Sequence, residues 1–387
     1  MDVLQNILIY AGSFVLVLSV VVFVHEFGHF QVARWRGVAI DTFSIGFGKT
    51  LLSWRDKQGV EWKIGALPLG GYVKFADDAD AMSTAPREKI DDPAALAEAR
   101  KKGLFHAQSL TTRSLVVAAG PITNFIFSIL AFALLAFILG RDIPSIDSVA
   151  ENSPAAAAGL QPGDIIQTVE GRRIRDFQAL QRVISTSPNR TLSIVTLRDG
   201  QEISMQLTPA PREDNPQAGS IGVGHNASPE SRERINPLAA VGIGASNTWA
   251  IIAQTGSYIG GVFTGRESGN QIAGPLGIIN VSGQVATSAL NGGDDERTLG
   301  DRLFVLALSL LNLAAVLSVA VGIVNLLPIP ILDGGHLLFY AIEGVRGGKP
   351  LPPSAQEWAY RAGFAVMASL FLFATWNDIT RLFPGAQ

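Results

Sequence analysis

The chain has 387 residues, of which 48% are apolar and 16% charged, with a formal net charge of -3. That balance is too apolar for a simple soluble enzyme and too uneven for a uniform bundle, so it reads as a membrane protein carrying a soluble insertion. No basic stripe with interleaved aromatics is present, which excludes nucleic acid as a partner, and without cysteine any metal must be held by His, Asp or Glu.

The first apolar run, Ile7 to Val24, leads directly into HEFGH at His25 to His29. A span takes about 20 residues, so the length suffices if the helix continues through the motif. His25 and His29, four apart, share one helix face and can hold a single zinc, with Glu26 beside them as a general base. An ionisable group at the bilayer centre costs about 2.5–3.5 kcal/mol on insertion scales, and a metal gives three of them a reason to be there. The alternative is a helix that stops at Val24 and leaves HEFGH at the interface. The leading MDVLQN carries Asp2 but no Lys or Arg, and no small-residue cleavage site precedes HEFGH, so residues 1–30 are expected to be a retained first span and not a signal peptide.

Residues 31–113 carry Arg34, Arg36, Lys49, Arg55, Lys57 and Lys63 near the first span and Arg100, Lys101, Lys102 and Arg113 near the next. The positive-inside rule makes this segment cytoplasmic and places the N-terminus outside. Thr42 to Trp54 and Val60 to Phe75 alternate apolar and polar residues between glycines, which predicts β-hairpins. Such a sheet either adds an extended substrate as another strand or is a structural hairpin. A surface helix is expected from Pro93. Residues 114–140 form the second span, in which Asn124 of GPITN is either packing glue between helices or a group aimed at the site.

From Arg141 to about Asn226 the composition turns soluble and short strands alternate with a helix at Phe177 to Ile184. GLQPGDII, at Gly159 to Ile166, resembles the turn-and-strand signature of PDZ domains, which implies a peptide groove between that helix and Ser220 to Val223 that takes a peptide or chain end; a plug or spacer is the other reading. Within 227–300, Pro237 to Phe263 is apolar but rich in Gly and Ser, and it reads as a periplasmic interfacial amphipathic segment. Residues 301–340 hold the third span followed by PIPILDGGH, and 356–383 the fourth, interrupted by Asn377 and Asp378. A catalytic zinc takes three protein ligands and keeps a position for water. Asp333, the acidic residue of this apolar stretch, supplies the third if span three runs inward. A crossing by Pro237 to Phe263 would put it on the wrong face, so the zinc site and the four-span topology stand together. His106 and His225 read as ordinary surface residues.

HEFGH, GPITN, the insert, GPLGI at Gly274 to Ile278 and NLLPIPILDGGH at Asn325 to His336 together resemble the site-2 protease family, and within it bacterial enzymes of regulated intramembrane proteolysis of the RseP type. The likeness covers nearly the whole chain. It implies a polytopic α-helical membrane protein of four transmembrane helices, with a membrane-associated β-hairpin region and an inserted α+β PDZ-like domain. It also implies Zn2+ on His25, His29 and Asp333, Glu26 as catalytic base, and Asn325 as a polar contact to substrate or transition state. The implied substrates are single-span membrane proteins, such as an anti-sigma factor, already trimmed outside by another protease. The implied place is the bacterial inner membrane, with both termini and the insert periplasmic and the site near the cytoplasmic side. RseP-type enzymes often carry two tandem PDZ domains, and this insert has room for one. The competing functions are a PDZ-bearing scaffold or chaperone with a structural zinc, for which His336 is the candidate fourth ligand, and a metal transporter, which would spread its ionisable residues through several spans.

Overall fold

The computed structural model describes residues 3–76, 92–212, 215–225, 232–270, 272–292 and 298–382. It divides into two compact units, residues 1–133 with 241–387, and residues 134–240.

In the larger unit, α1 (Val3–Trp35) runs unbroken through HEFGH. The helix does not end at Val24, because packing continues past it: Phe30 and Ala33 are fully buried, and tertiary contact outweighs the weak helix propensity of HEFGHF. β1 (Ile40–Arg55) and β2 (Glu61–Phe75) follow as the expected hairpin, but it doubles back on itself. Phe43 to Ile45 face Trp62 to Ile64 on one side and Gly71 to Val73 on the other, while Ser53 to Arg55 return to Glu61 to Lys63. The bend falls at Gly46 and Gly48, both at positive φ. After α2 (Pro93–Lys101), capped by Asp92, α3 (Leu110–Leu139) crosses Pro121 without breaking.

The smaller unit holds short strands. They are β3 (Arg141–Asp142), β4 (Ser148–Val149), β5 (Ile165–Val169), β6 (Arg172–Arg173), β7 (Leu192–Arg198), β8 (Gln201–Leu207), β9 (Ala210–Pro211), β10 (Gly219–Ser220), β11 (Val223–Gly224) and β12 (Arg232–Glu233). Its main sheet has the order β6-β5-β7-β8, with β4 pairing β11 and β3 pairing β12. A four-residue α4 (Pro154–Ala157) and α5 (Phe177–Ser185) complete it. Ile146, Ile166, Leu180, Leu192, Ile194 and Leu207 make its core. His225 is not a surface residue here: its ring is buried, stacked on Phe177 at 4.2 Å, and held by Asp142, Asp147 and the Ser145 carbonyl. A lone His in a polar stretch gives no sign of partners that lie about 80 residues away.

The chain then returns to the larger unit with α6 (Pro237–Phe263), α7 (Pro275–Asn291), α8 (Leu299–Asn325), α9 (Asp333–Val345) and α10 (Pro353–Leu382). Among the described residues, α1, α3, α8 and α10 are the four helices long and apolar enough to cross a membrane. At most a third of the most apolar window of each is buried, and exposed side chains such as Leu8, Ile126, Leu130 and Phe364 would be untenable in water over such lengths. α7 begins at GPLGI, and a buried group from α10 holds its start. Asp378, 1% exposed, accepts from the backbone N–H groups of Gly274 (3.0 Å) and Gly277 (2.8 Å), while Asn377 donates to the Gly269 carbonyl. The interruption in the fourth span is thus a carboxylate on a helix N-terminus, where free N–H groups and the helix dipole satisfy it.

Candidate active site

Helix α1 presents His25 and His29 one turn apart, their rings edge to face. The span α8 ends at Asn325, the chain turns through Leu326 to Leu332, and Asp333 opens α9. That turn is tight enough that a Cβ on Gly334 would strike the carbonyls of Leu326 and Leu327, and one on Gly335 the carbonyl of Ile329. The carboxylate therefore arrives on a short, stiff elbow. Its Oδ2 lies 3.2 Å from Nε2 of His25 and 3.5 Å from Nε2 of His29, and the two Nε2 atoms are 3.2 Å apart.

Around these atoms α3 supplies the support. His29 Nδ1 meets the Val116 carbonyl at 2.9 Å, and Asn124 Nδ2 lies 3.1 Å from Nδ1 of His25. Gly120 leaves the room the rings need, since a Cβ there would run into Nε2 of His29 and Cε1 of His25. Gly28 lets α1 close on the backbone of Ala119. Glu26 lies against Gly71 of β2, where a Cβ would meet its Cγ. His25, Glu26, His29, Asn325 and Asp333 all line one cavity of about 560 Å3. Arg100, His106 and Gln108 line it as well, so His106 borders the cavity and is not simply a surface residue. Asn325 donates to the Val321 carbonyl at 3.1 Å. At the far end of α9, Glu343 takes a two-armed ion pair from Arg113 (2.6 and 3.1 Å), which sits over the Tyr340 ring. Both partners are largely buried, and the pair ties the helix that begins at Asp333 to the start of α3.

Residues 13–370 match the profile of peptidase family M50. A protein of Rhizobium meliloti whose name carries the words zinc metalloprotease is 40% identical over 98% of this chain and 99% of its own length. The metalloprotease MmpA of Caulobacter vibrioides is also 40% identical, over 97% and 96%. The chain belongs to peptidase family M50. This M50 peptidase is a membrane-embedded zinc metalloprotease of the site-2 type.

The donor set suits that metal. Nitrogen and oxygen ligands at about 2.0–2.1 Å around a tetrahedral zinc stand roughly 3.3 Å from one another, close to the three separations of 3.2, 3.2 and 3.5 Å found here. Oδ2 of Asp333 is buried and makes no hydrogen bond, an orphan that a cation would satisfy. Among the described residues the cluster consists of His25, His29 and Asp333, and His336 is not part of it, which leaves a three-ligand set of the kind that keeps a position open for water. The expected site residues are thus brought together. Two features were not foreseen from the sequence: the Val116 carbonyl, which has no residue-type signal, and the Arg113–Glu343 pair, whose members are 230 residues apart.

Proposed function

We propose that the peptidase hydrolyses peptide bonds within or near the transmembrane segment of single-span membrane proteins, with zinc held by His25, His29 and Asp333 and Glu26 as the general base. The observation that carries this reading is the convergence of three ligand atoms within 4.8 Å, two on α1, which is apolar enough to span, and one at the start of α9 just past α8, with a carboxylate beside them in the same cavity. When bound, zinc lowers the pKa of a water toward about 7 and polarises a carbonyl. Glu26 takes the proton from the attacking water as the new C–O bond forms, and returns it to the departing amine as the C–N bond breaks. Asn325, at the end of α8, offers an amide to the oxygen on which charge develops. Because a substrate helix hides its carbonyls in its own hydrogen bonds, it must unwind before attack. The strand Gly71 to Phe75 pairs with Ile40 to Ile45 on one side, and on the other it offers an edge beside Glu26 that an unwound stretch can join.

The wider reading places the chain in a bacterial inner membrane with four spans, in the segments 1–30, 114–140, 301–340 and 356–383, the third being α8, which ends at Asn325 before the turn to Asp333. The N- and C-termini and the PDZ-like insert, 141–226, lie in the periplasm, the segment 31–113 is cytoplasmic, and 227–300 rests at the periplasmic interface. Its physiological role is regulated intramembrane proteolysis, for instance of an anti-sigma factor. In the insert, the groove of this reading lies between α5 and the chain from Gly219 to Val223 and takes a peptide or chain end; Ile221 is in the same core cluster as Leu180 and Ile184 of α5. The scaffold reading asks for a fourth zinc ligand, and the three-member cluster speaks against it.

The test is zinc content together with cleavage of a single-span substrate by full-length protein in detergent. Glu26→Gln is expected to keep one zinc per chain and to lose about 10²–10⁴-fold in cleavage. Asp333→Asn is expected to lose both metal and activity. Unimpaired cleavage by Glu26→Gln would sink the assignment of the base.

A further inference from the structure

We infer that Asn124 is a positioning residue that sets which nitrogen of His25 is free for the metal, through its amide carbonyl. The inference rests on the zinc site proposed above and adds a tautomer requirement to it. His29 shows what the requirement is. Its Nδ1 faces the Val116 carbonyl, which can only accept, so Nδ1 carries the proton and Nε2 keeps its lone pair. His25 must match, because its Nε2 also points at Asp333 and at His29.

The partner of Nδ1 on His25 is an amide, and an amide can face it in two ways. Nδ2 can donate to a bare Nδ1, at the 3.1 Å separation found here, which leaves the proton on Nε2 and blocks it as a ligand. Alternatively, a half-turn of the amide brings Oδ1 to accept from Nδ1–H, which bares Nε2. Oδ1 is buried in its present place without any hydrogen bond, so the turn breaks no hydrogen bond to it. The half-turn only exchanges which amide atom lacks a partner, and the metal decides between the two.

The residue is built to hold that position. It is 0% exposed, and its own backbone carbonyl accepts from Ser128 Oγ at 2.9 Å and from Ser318 Oγ of α8 at 3.2 Å. Ser128 Oγ also reaches the Ala315 carbonyl. Asn124 therefore sits at a junction of α1, α3 and α8 and transmits the packing of two spans to one imidazole.

The two roles make opposite demands on a substitution. An aspartate can accept from Nδ1–H but cannot donate, whereas a leucine of similar size does neither. Full-length protein in detergent would be stripped of metal and its zinc affinity measured by chelator competition, with thermal unfolding of the metal-free forms alongside. Asn124→Asp is expected to hold zinc within about threefold of the parent chain, while Asn124→Leu weakens it by about 10–100-fold. The metal-free unfolding temperatures should not follow that split. Leucine binding zinc as tightly as asparagine, or aspartate losing as much as leucine, would overturn the inference. If the leucine form does not fold, the aspartate arm decides alone: retention supports an acceptor, and a tenfold or greater loss refutes it. A parent chain that binds no zinc, or a His25→Ala form that binds it undiminished, removes the zinc site itself and this inference with it, whereas tight binding by the parent with indifference at Asn124 removes only the inference.

Discussion

Among the described residues, histidine meets carboxylate in two buried places, and the two are built differently. At His225 both ring nitrogens are used up: Nε2 reaches Asp142 at 2.7 Å, and Nδ1 reaches the Ser145 carbonyl at 2.9 Å and Asp147 at 3.1 Å. Carboxylate or carbonyl oxygens take up each nitrogen, and Ser145 Oγ lies 3.5 Å from Nδ1 as well. The result is a clasp that ties the start of the insert to its last strands. At His25 and His29 the outward nitrogens are occupied by α3, while both Nε2 atoms and an unbonded carboxylate oxygen are turned toward each other. The residue types are the same. What separates a clasp from a metal site is whether both ring nitrogens are taken up by neighbouring groups or one from each ring is left converging with a carboxylate.

The sharpest way to break this contrast is to delete each histidine in turn. His25→Ala is expected to abolish zinc binding and proteolysis, because two ligands cannot replace three. His225→Ala should leave one zinc per chain and lower the stability of the insert by about 1–3 kcal/mol, the cost of leaving buried partners unpaired. Zinc content and hydrogen exchange across β5 and β7 measure both effects. A loss of zinc in His225→Ala would show that the clasp is not independent of the site.

A smaller change probes the room around the rings. Gly120→Ala adds one methyl where His29 Nε2 and His25 Cε1 already sit. The imidazoles must shift, and zinc affinity is expected to fall by about 10-fold or more, on the scale of lost support around a ligand. The same substitution at Gly12, also on α1, meets nothing within 4 Å and serves as the control.

The sequence made the ligands legible for a simple reason. Spacing inside one helix is fixed geometry, so HEFGH places two imidazoles on one face wherever the helix runs, and an acidic residue just past a span has few purposes. The four candidate spans could be read from length and apolarity, the same two properties that mark α1, α3, α8 and α10 as long and apolar enough to cross. The fold of the hairpin was only partly so: alternation gave the two strands, but not the doubling back at Gly46 and Gly48 that sets Gly71 against Glu26. What stayed hidden were contacts between distant residues. Asp378 reads as a flaw in the fourth span until the start of α7 is seen against it, and nothing near Arg113 announces Glu343. His225 misled for the same reason, since its carboxylates belong to the opposite end of the insert.

The insert also contains a buried carboxylate held by an arginine, and there the contrast predicts a pH effect unconnected with metal. Asp164 is 0% exposed, and burial alone would raise its pKa. The hydrogen bonds from Arg198 and from the backbone N–H of Gln161, together with the Arg198 charge, more than offset that and hold the carboxyl below its usual range. A depressed folded-state pKa stabilises the fold above the unfolded value of about 3.9, and that contribution is lost as pH falls toward the folded value. Each unit between the two is worth about 1.4 kcal/mol. The protection factors of the Ile166 and Ile194 amides, taken against the intrinsic exchange rate at each pH in the full chain, should therefore fall below about pH 4. In Asp164→Asn that acid-dependent part is expected to be missing, since the amide does not titrate, while the exchange at neutral pH is already faster. Should the mutant retain the same acid slope as the parent, the loss of protection belongs to other carboxylates, and the Asp164–Arg198 pair acts only through its geometry.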